Sequence, residues 1–179
     1  MGKDIVMANI NDLVPHILKF EGGFVNDPDD LGGATNKGVT LKTYKAFCRR
    51  KGYPVPTVER LKNLTDEQFA EILKTMYWDA CRADSIQSQG VANAIVDWAW
   101  NSGTATAANE IQKVLGVKAD GIIGNITLSA INSQSPLPLF GRIKTARIKY
   151  IERICESRPE NRKFYRGWMN RINDLQYEE

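Results

Sequence analysis

The chain has 179 residues, of which 42% are hydrophobic and 25% charged, and its net charge at pH 7 is +3. That composition excludes a disordered chain, a collagen and a disulfide-dense miniprotein, and the length suits one domain or two small ones sharing a core. The apolar stretches are too short to span a bilayer, and Met1–Ile10 lacks the apolar core of a Sec signal peptide, so synthesis without a recognisable export signal is expected.

The periodicity is helical nearly throughout. Ile10, Leu13, Val14, Ile17 and Leu18 recur at helix spacing, with Asn11 as N-cap and Pro15 in the first turn, where its missing N–H costs least. Gly22-Gly23 should end this helix in a left-handed C-cap. Residues 23–40 then change character, with four Gly, one Pro and three Asp, and predict a long loop or a small irregular β-hairpin. Thr40 caps a helix through Lys51, closed by Gly52, and Pro54 and Pro56 mark a connector. Thr65-Asp-Glu-Gln68 has the capping-box pattern, continued by Phe69, Ile72, Leu73 and Met76. The run from Val91 to Asn101 is apolar on most sides and should form a central helix. Gly103 breaks it, and a helix from Ala105 to Leu115 is closed by Gly116. A tight turn at Asp120–Gly124 leads into a short helix ending at Ile131. Pro136 and Pro138 precede a long helix over 138–157, and a last helix carries Phe164, Trp168, Ile172 and Leu175 on one face. The fold class is mainly α, with the strands confined to 23–40.

Three widely spaced cysteines, Cys48, Cys81 and Cys155, and a single histidine, His16, show no metal-ligand spacing. Free, buried thiols and no metal or organic cofactor are expected. Between Arg142 and Arg171 there are ten basic residues against three acidic ones. Such a basic C-terminal helical face is either a solvated surface or an attraction to a polyanion such as an anionic cell envelope. No nucleic-acid motif accompanies it.

Glu21 is the leading candidate for chemistry. It stands at the C-terminal end of the first helix, where the helix dipole disfavours a negative charge, and Phe20 and Phe24 flank it. Both influences favour the protonated carboxyl that a general acid needs, while the plainer reading is a solvated Glu at a fraying helix end. Asp27, Asp29 and Asp30 follow closely, Gly22-Gly23 and Gly32-Gly33 allow tight folding, and Thr35 and Thr40 supply hydroxyls. An acid, a carboxylate loop and hydroxyls in one cleft suit glycosidic-bond cleavage; the alternative for the aspartates is turn formation.

The run from Glu21 to Thr40 carries Glu-Gly-Gly-aromatic, Asp-x-Gly-Gly-x-Thr and Gly-aliphatic-Thr without a gap. It resembles the signature of glycoside hydrolase family 108, lysozyme-like N-acetylmuramidases of phages and bacteria. The resemblance implies a lysozyme-like helical fold and makes Glu21 the catalytic acid. More loosely, the run is similar to phage lysozymes, in which Asp30 takes the place of the loop carboxylate and Thr35 that of the threonine. Further on, Asn101-Ser-Gly103, Ala107-Ala108, Ile111-Gln112, Leu115-Gly-Val117, Asp120-Gly121, Gly124, Thr127 and Ala130 resemble the predicted peptidoglycan-binding domain of that family. The implied division is 1–100 catalytic and 101–179 peptidoglycan-binding, packed as one compact unit.

Tyr77, Trp78, Asp97 and Asn101, with Thr40, are the candidate substrate-binding residues. Aromatic rings stack on sugar faces and polar neighbours bond acetamido groups, although the same aromatics also suit a core. Asp97 stands among apolar residues and needs partners, either as a second active-site carboxylate or as an internal link. Three functions remain open. One is a muramidase that cuts peptidoglycan glycan strands between N-acetylmuramic acid and N-acetylglucosamine, as an endolysin-type monomer at the cell wall. The others are a lytic transglycosylase on the same strands and a non-catalytic envelope-binding secretion or phage accessory protein.

Overall fold

The computed structural model describes residues 5–27 and 33–179. The described chain falls into two compact units, Val14–Met76 and the N-terminal residues through Leu13 together with Tyr77–Glu179. This division differs from one into 1–100 and 101–179.

In the first unit, α1 spans Val14–Phe20. The expected helix from Ile10 is in fact two pieces, because Pro15 has no N–H to continue an α ladder through the residues before it. Ile10–Asp12 form a separate 3-10 turn, capped by Asn9 rather than Asn11: the Asn11 N–H donates to the Asn9 side chain at 2.9 Å. The helix stops at Phe20, and the Glu21 N–H donates back to the Leu18 carbonyl at 3.2 Å. The left-handed cap expected at Gly22-Gly23 is absent; positive φ occurs later, at Gly33 and Gly38.

Strands β1 (Thr35–Asn36) and β2 (Val39–Thr40) form an antiparallel hairpin, with Thr35 opposite Thr40 and Asn36 opposite Val39. Its two-residue turn, Lys37 at φ 51° and Gly38 at φ 75°, has the positive φ pair that matches the twist of the flanking strands. Thr40 also starts α2 (Leu41–Lys51): its hydroxyl accepts from the Thr43 N–H at 3.1 Å, and Gly52, with φ 72°, closes the helix. The connector after Pro56 holds a helix the periodicity does not reveal, α3 (Val58–Lys62), capped by Thr57. Five residues are too few for an amphipathic repeat to show. Asn36 is buried and donates to the Leu61 and Lys62 carbonyls at 2.9 and 3.0 Å, satisfying the open end of α3 and tying it to the hairpin. Then α4 (Asp66–Leu73) opens with both bonds of the capping box, and Phe69, Ile72 and Leu73 are fully buried.

The second unit is built on α5 (Gln89–Ser102), buried from Gln89 through Ala99 as its apolar girth predicts. Gln89 bridges back to the N-terminal segment, accepting from the Asn9 N–H at 2.7 Å and donating to its carbonyl at 2.9 Å. Helix α6 (Thr104–Leu115) follows Gly103, then α7 (Asn125–Ser133), α8 (Pro136–Ser157) and α9 (Arg162–Asp174). Pro136 and Pro138 lie inside the first turn of α8 rather than before it, where the absent N–H groups have no helical partner to lose. Helices α6 and α8 pack on α5, and α9 packs on α8. The C-terminal tail lies on α5: the Gly90 N–H donates to the Glu178 carbonyl at 3.0 Å, and a Cβ at Gly90 would stand only 2.7 Å from the Tyr177 ring.

Cys48, Cys81 and Cys155 are free and buried. Burial pushes the Cys81 thiol up to about 12. Among the described residues no helix is long and apolar enough to cross a membrane.

Candidate active site

Glu21 leaves α1 and lies over the β1–β2 turn. The Lys37 N–H donates to the Gly22 carbonyl at 3.2 Å, and Val25 pairs with Thr35 through two backbone bonds of 2.8 Å each. These bonds bind the segment after α1 to the hairpin. The Glu21 carboxyl rests on the bare α-carbon of Gly38: a Cβ there would stand 2.5 Å from Glu21 Cδ and 3.0 Å from Oε1. Glycine suits 38 on two counts: its positive φ strains a residue with a Cβ, and a Cβ there would force the Glu21 carboxyl to shift. Glu21 is half-buried on this platform.

Thr35 and Thr40 face each other across the same hairpin. The Thr40 hydroxyl is committed to capping α2 and donates to the Thr43 hydroxyl at 3.1 Å. Asp30, with Asp29, lies outside the described residues. Among the described residues no group of three or more His, Cys, Asp and Glu is placed to hold a metal ion.

Tyr77, Trp78, Asp97 and Asn101 belong to the second unit. Tyr77 is half-buried and meets Trp100 edge-on, ring centroids 4.8 Å apart, while Asn101 is exposed at the end of α5. Trp78 and Asp97 have no exposed surface. The Trp78 indole donates to Asp84 at 2.7 Å. Asp97 is held by two buried arginines: Arg147 Nη1 donates to Oδ2 at 2.6 Å, and Arg171 donates through Nε and Nη2 to Oδ1 at 3.1 and 2.8 Å. Of the two readings of Asp97, this geometry is the internal link, joining α5, α8 and α9. It also removes two of the ten basic residues between Arg142 and Arg171 from the surface. Burial pushes the Arg147 guanidinium down, and the Asp97 carboxylate opposes that shift.

Sequence reasoning placed Gly38 in the Gly-aliphatic-Thr motif without its contact to Glu21, and it missed the pairing of the two arginines with Asp97. The signal for Gly38 was Lys37-Gly38 between two short β-prone runs, a hairpin-turn pattern. The signal for Arg147 was its place on the apolar stripe of α8, between Ile143 and Ile151.

Comparison with known proteins bears on both units. The family described as glycosyl hydrolase 108 matches residues 14–103, which include α1 and the hairpin. A family described as a predicted peptidoglycan domain matches residues 106–173. Among solved structures, SagA of Brucella abortus is 31% identical, with 93% of this chain and 90% of that chain covered and a TM-score of 0.76. No curated protein matches in sequence.

Proposed function

The chain belongs to the glycosyl hydrolase 108 family, and we propose that this mainly α, lysozyme-like peptidoglycan hydrolase is an N-acetylmuramidase with Glu21 as its general acid. The observation that carries the reading is the seat of the Glu21 carboxyl on Gly38. A general acid must hold one position while the glycosidic oxygen develops negative charge, and a carboxyl laid on rigid backbone does so without a side chain beneath it. In the proposed mechanism Glu21 gives its proton to the oxygen leaving N-acetylmuramic acid. Asp30 stabilises the oxocarbenium-like charge or orients the attacking water, and Thr35, five positions further along the chain, assists.

Tyr77 and Asn101 supply an aromatic face and an amide for the glycan. Trp78 and Asp97 act from inside the core, through the elements they hold in place. The basic residues of the C-terminal helices that remain at the surface draw the protein to the anionic cell wall.

The test is a folded Glu21→Gln variant assayed for release of reducing ends from purified peptidoglycan. A loss of about 10²- to 10⁴-fold is expected, the usual contribution of a positioned acid. Activity within a few fold of wild type would remove Glu21 from the mechanism.

A further inference from the structure

A basic groove lies in the first unit, along the helix that follows the β1–β2 hairpin. Its volume is about 490 Å³, and Lys42, Lys45 and Arg49 of α2 line it together with Ala34, Leu41 and Ala46. Spacings of three and four residues put the three cations on one face of the helix, and seven residues at about 1.5 Å each spread them over about 10 Å. All three are exposed, and the described lining includes no carboxylate and no aromatic ring. The Leu41 N–H donates to the Ala34 carbonyl at 3.0 Å, which fixes the groove at the open end of the hairpin whose turn seats Glu21.

The three charges are uncompensated. Other cations of the unit have partners: Lys37 pairs with Asp66 at 2.9 Å and Lys51 with Glu71 at 3.5 Å. The side chains of Lys42, Lys45 and Arg49 make no hydrogen bond or ion pair among the described residues. Helix α2 gains little from them. Like charges three and four residues apart repel, and Lys42 stands in the first turn, where the helix dipole disfavours a cation. Only Arg49, in the last turn, is placed where the dipole favours it. Charges that the fold itself does not use, set among apolar side chains in a groove, point to an anion brought from outside.

We propose that this groove binds an acidic peptide, the short peptide that N-acetylmuramic acid carries in peptidoglycan. Its carboxylates meet Lys42, Lys45 and Arg49, and its methyl-bearing side chains lie against Ala34, Leu41 and Ala46. Three extended residues span about 10 Å, the spread of the cations. A nucleic-acid strand would find no ring in the described lining to stack on, and a phosphate polymer would leave the apolar side chains uncovered. Position favours the same occupant. Leu41 is three residues from Gly38, so the groove begins within about 10 Å of the seat of Glu21, in reach of a peptide hanging from a sugar bound at the acid. The choice of peptidoglycan as the source rests on the muramidase reading; the recognition of a carboxylate-bearing peptide does not.

Titration of the isotopically labelled wild-type chain with soluble L-alanyl-γ-D-glutamyl-meso-diaminopimelate, followed by NMR, tests the groove apart from turnover, since this probe has no glycosidic bond to cut. The controls are the same peptide with every carboxylate amidated and an oligomer of glycerol phosphate. The acidic peptide should shift the Leu41, Lys45 and Ala46 amides saturably, and each control should bind at least tenfold more weakly. The triple variant Lys42→Gln, Lys45→Gln, Arg49→Gln keeps good helix formers at exposed positions and should weaken peptide binding at least tenfold. Ala46→Glu keeps all three cations and sets a carboxylate among them; it should weaken binding as much. A charge-matched triple variant in the C-terminal unit, Lys149→Gln, Arg158→Gln, Lys163→Gln, should bind as wild type does. Equal binding of acidic and amidated peptide, glycerol phosphate binding as tightly as the peptide, equal losses in the two triple variants, or no shifts with peptide at about 20 mM would overturn the groove, since even a millimolar ligand saturates there. Turnover of glycan strands measured in parallel keeps the two readings apart: a peptide bound by a chain that does not cut glycan contradicts the muramidase reading alone, and cutting without peptide binding contradicts the groove alone.

Discussion

Gly38 makes the geometry of the candidate acid testable at a single residue. Its φ of 75° is costly for any residue with a Cβ, and that Cβ would overlap the Glu21 carboxyl. Gly38→Ala is expected to fold, since the turn is at the surface, while moving the carboxyl from its seat. A shift of about 1 Å in a catalytic group can cost roughly 10²-fold in rate. The variant should therefore lose about that much turnover while circular dichroism stays native. Full activity would show that the platform does not position the acid. The sequence around this residue was only partly legible. Glu21 stands out because a carboxyl beside paired glycines is an unusual helix end, and its motif reads without a gap. That the carboxyl rests on a glycine 17 positions later is a contact across a turn, which no local pattern encodes.

Among the elements, helix bounds followed their caps where the capping side chain was local. Thr40, Thr65 and Gly116 each stand at the helix end their residue type predicts. The reading failed where a proline changed the ladder, before Pro15 and at Pro136, and where α3 was too short to show a period. The link between α5, α8 and α9 was half legible: Asp97 announces a need for partners, but Arg147 and Arg171 lie 50 and 74 residues away. Asp97→Asn would leave two buried guanidiniums without their carboxylate. A loss of about 3–5 kcal/mol in unfolding free energy is expected, measurable by chemical denaturation. A loss below 1 kcal/mol, roughly the worth of an exposed pair, would contradict the link.

The turn between α6 and α7 gives a pH signature. Gln112 is buried, and its amide NH2 shares its two hydrogens among Asp120, the Ile122 carbonyl and the Thr127 hydroxyl, at 2.8, 2.9 and 3.0 Å, while its own oxygen accepts from the Gly121 N–H at 2.9 Å. The Gln112 amide, and then the Ile122 N–H, hold the Asp120 carboxyl below the usual carboxylate range. A carboxyl lowered on folding contributes stability above its unfolded value, near pH 4, and that contribution is lost as pH falls through the lower folded value. On acidification from about pH 6 to about pH 3, the wild-type melting temperature should therefore fall further than that of Asp120→Asn. Equal falls would show that the bonds do not favour the ionised form.

For the molecule as a whole, composition set the class, while the charge distribution left a solvated surface and an anionic partner as alternatives. The charge reading was incomplete in a way that burial explains: Arg147 and Arg171 belong to the core, and the rest of the basic run remains for the surface. If those surface charges draw the protein to an anionic wall, added salt should slow hydrolysis of intact sacculi as the screening length shrinks from about 30 Å at 0.01 M to about 8 Å at 0.15 M. Turnover of short uncharged chitin-type oligosaccharides should change little. A parallel decline on both substrates would remove the steering role.

The central claim is that Glu21 protonates the bond between N-acetylmuramic acid and N-acetylglucosamine, and water completes the cut. Mass spectrometry of the fragments released from purified sacculi by wild type and by Glu21→Gln tests it most directly. The account predicts fragments ending in reducing N-acetylmuramic acid from the wild type and almost none from the variant. Fragments ending in 1,6-anhydro-N-acetylmuramic acid, or an unchanged fragment pattern from Glu21→Gln, would contradict it.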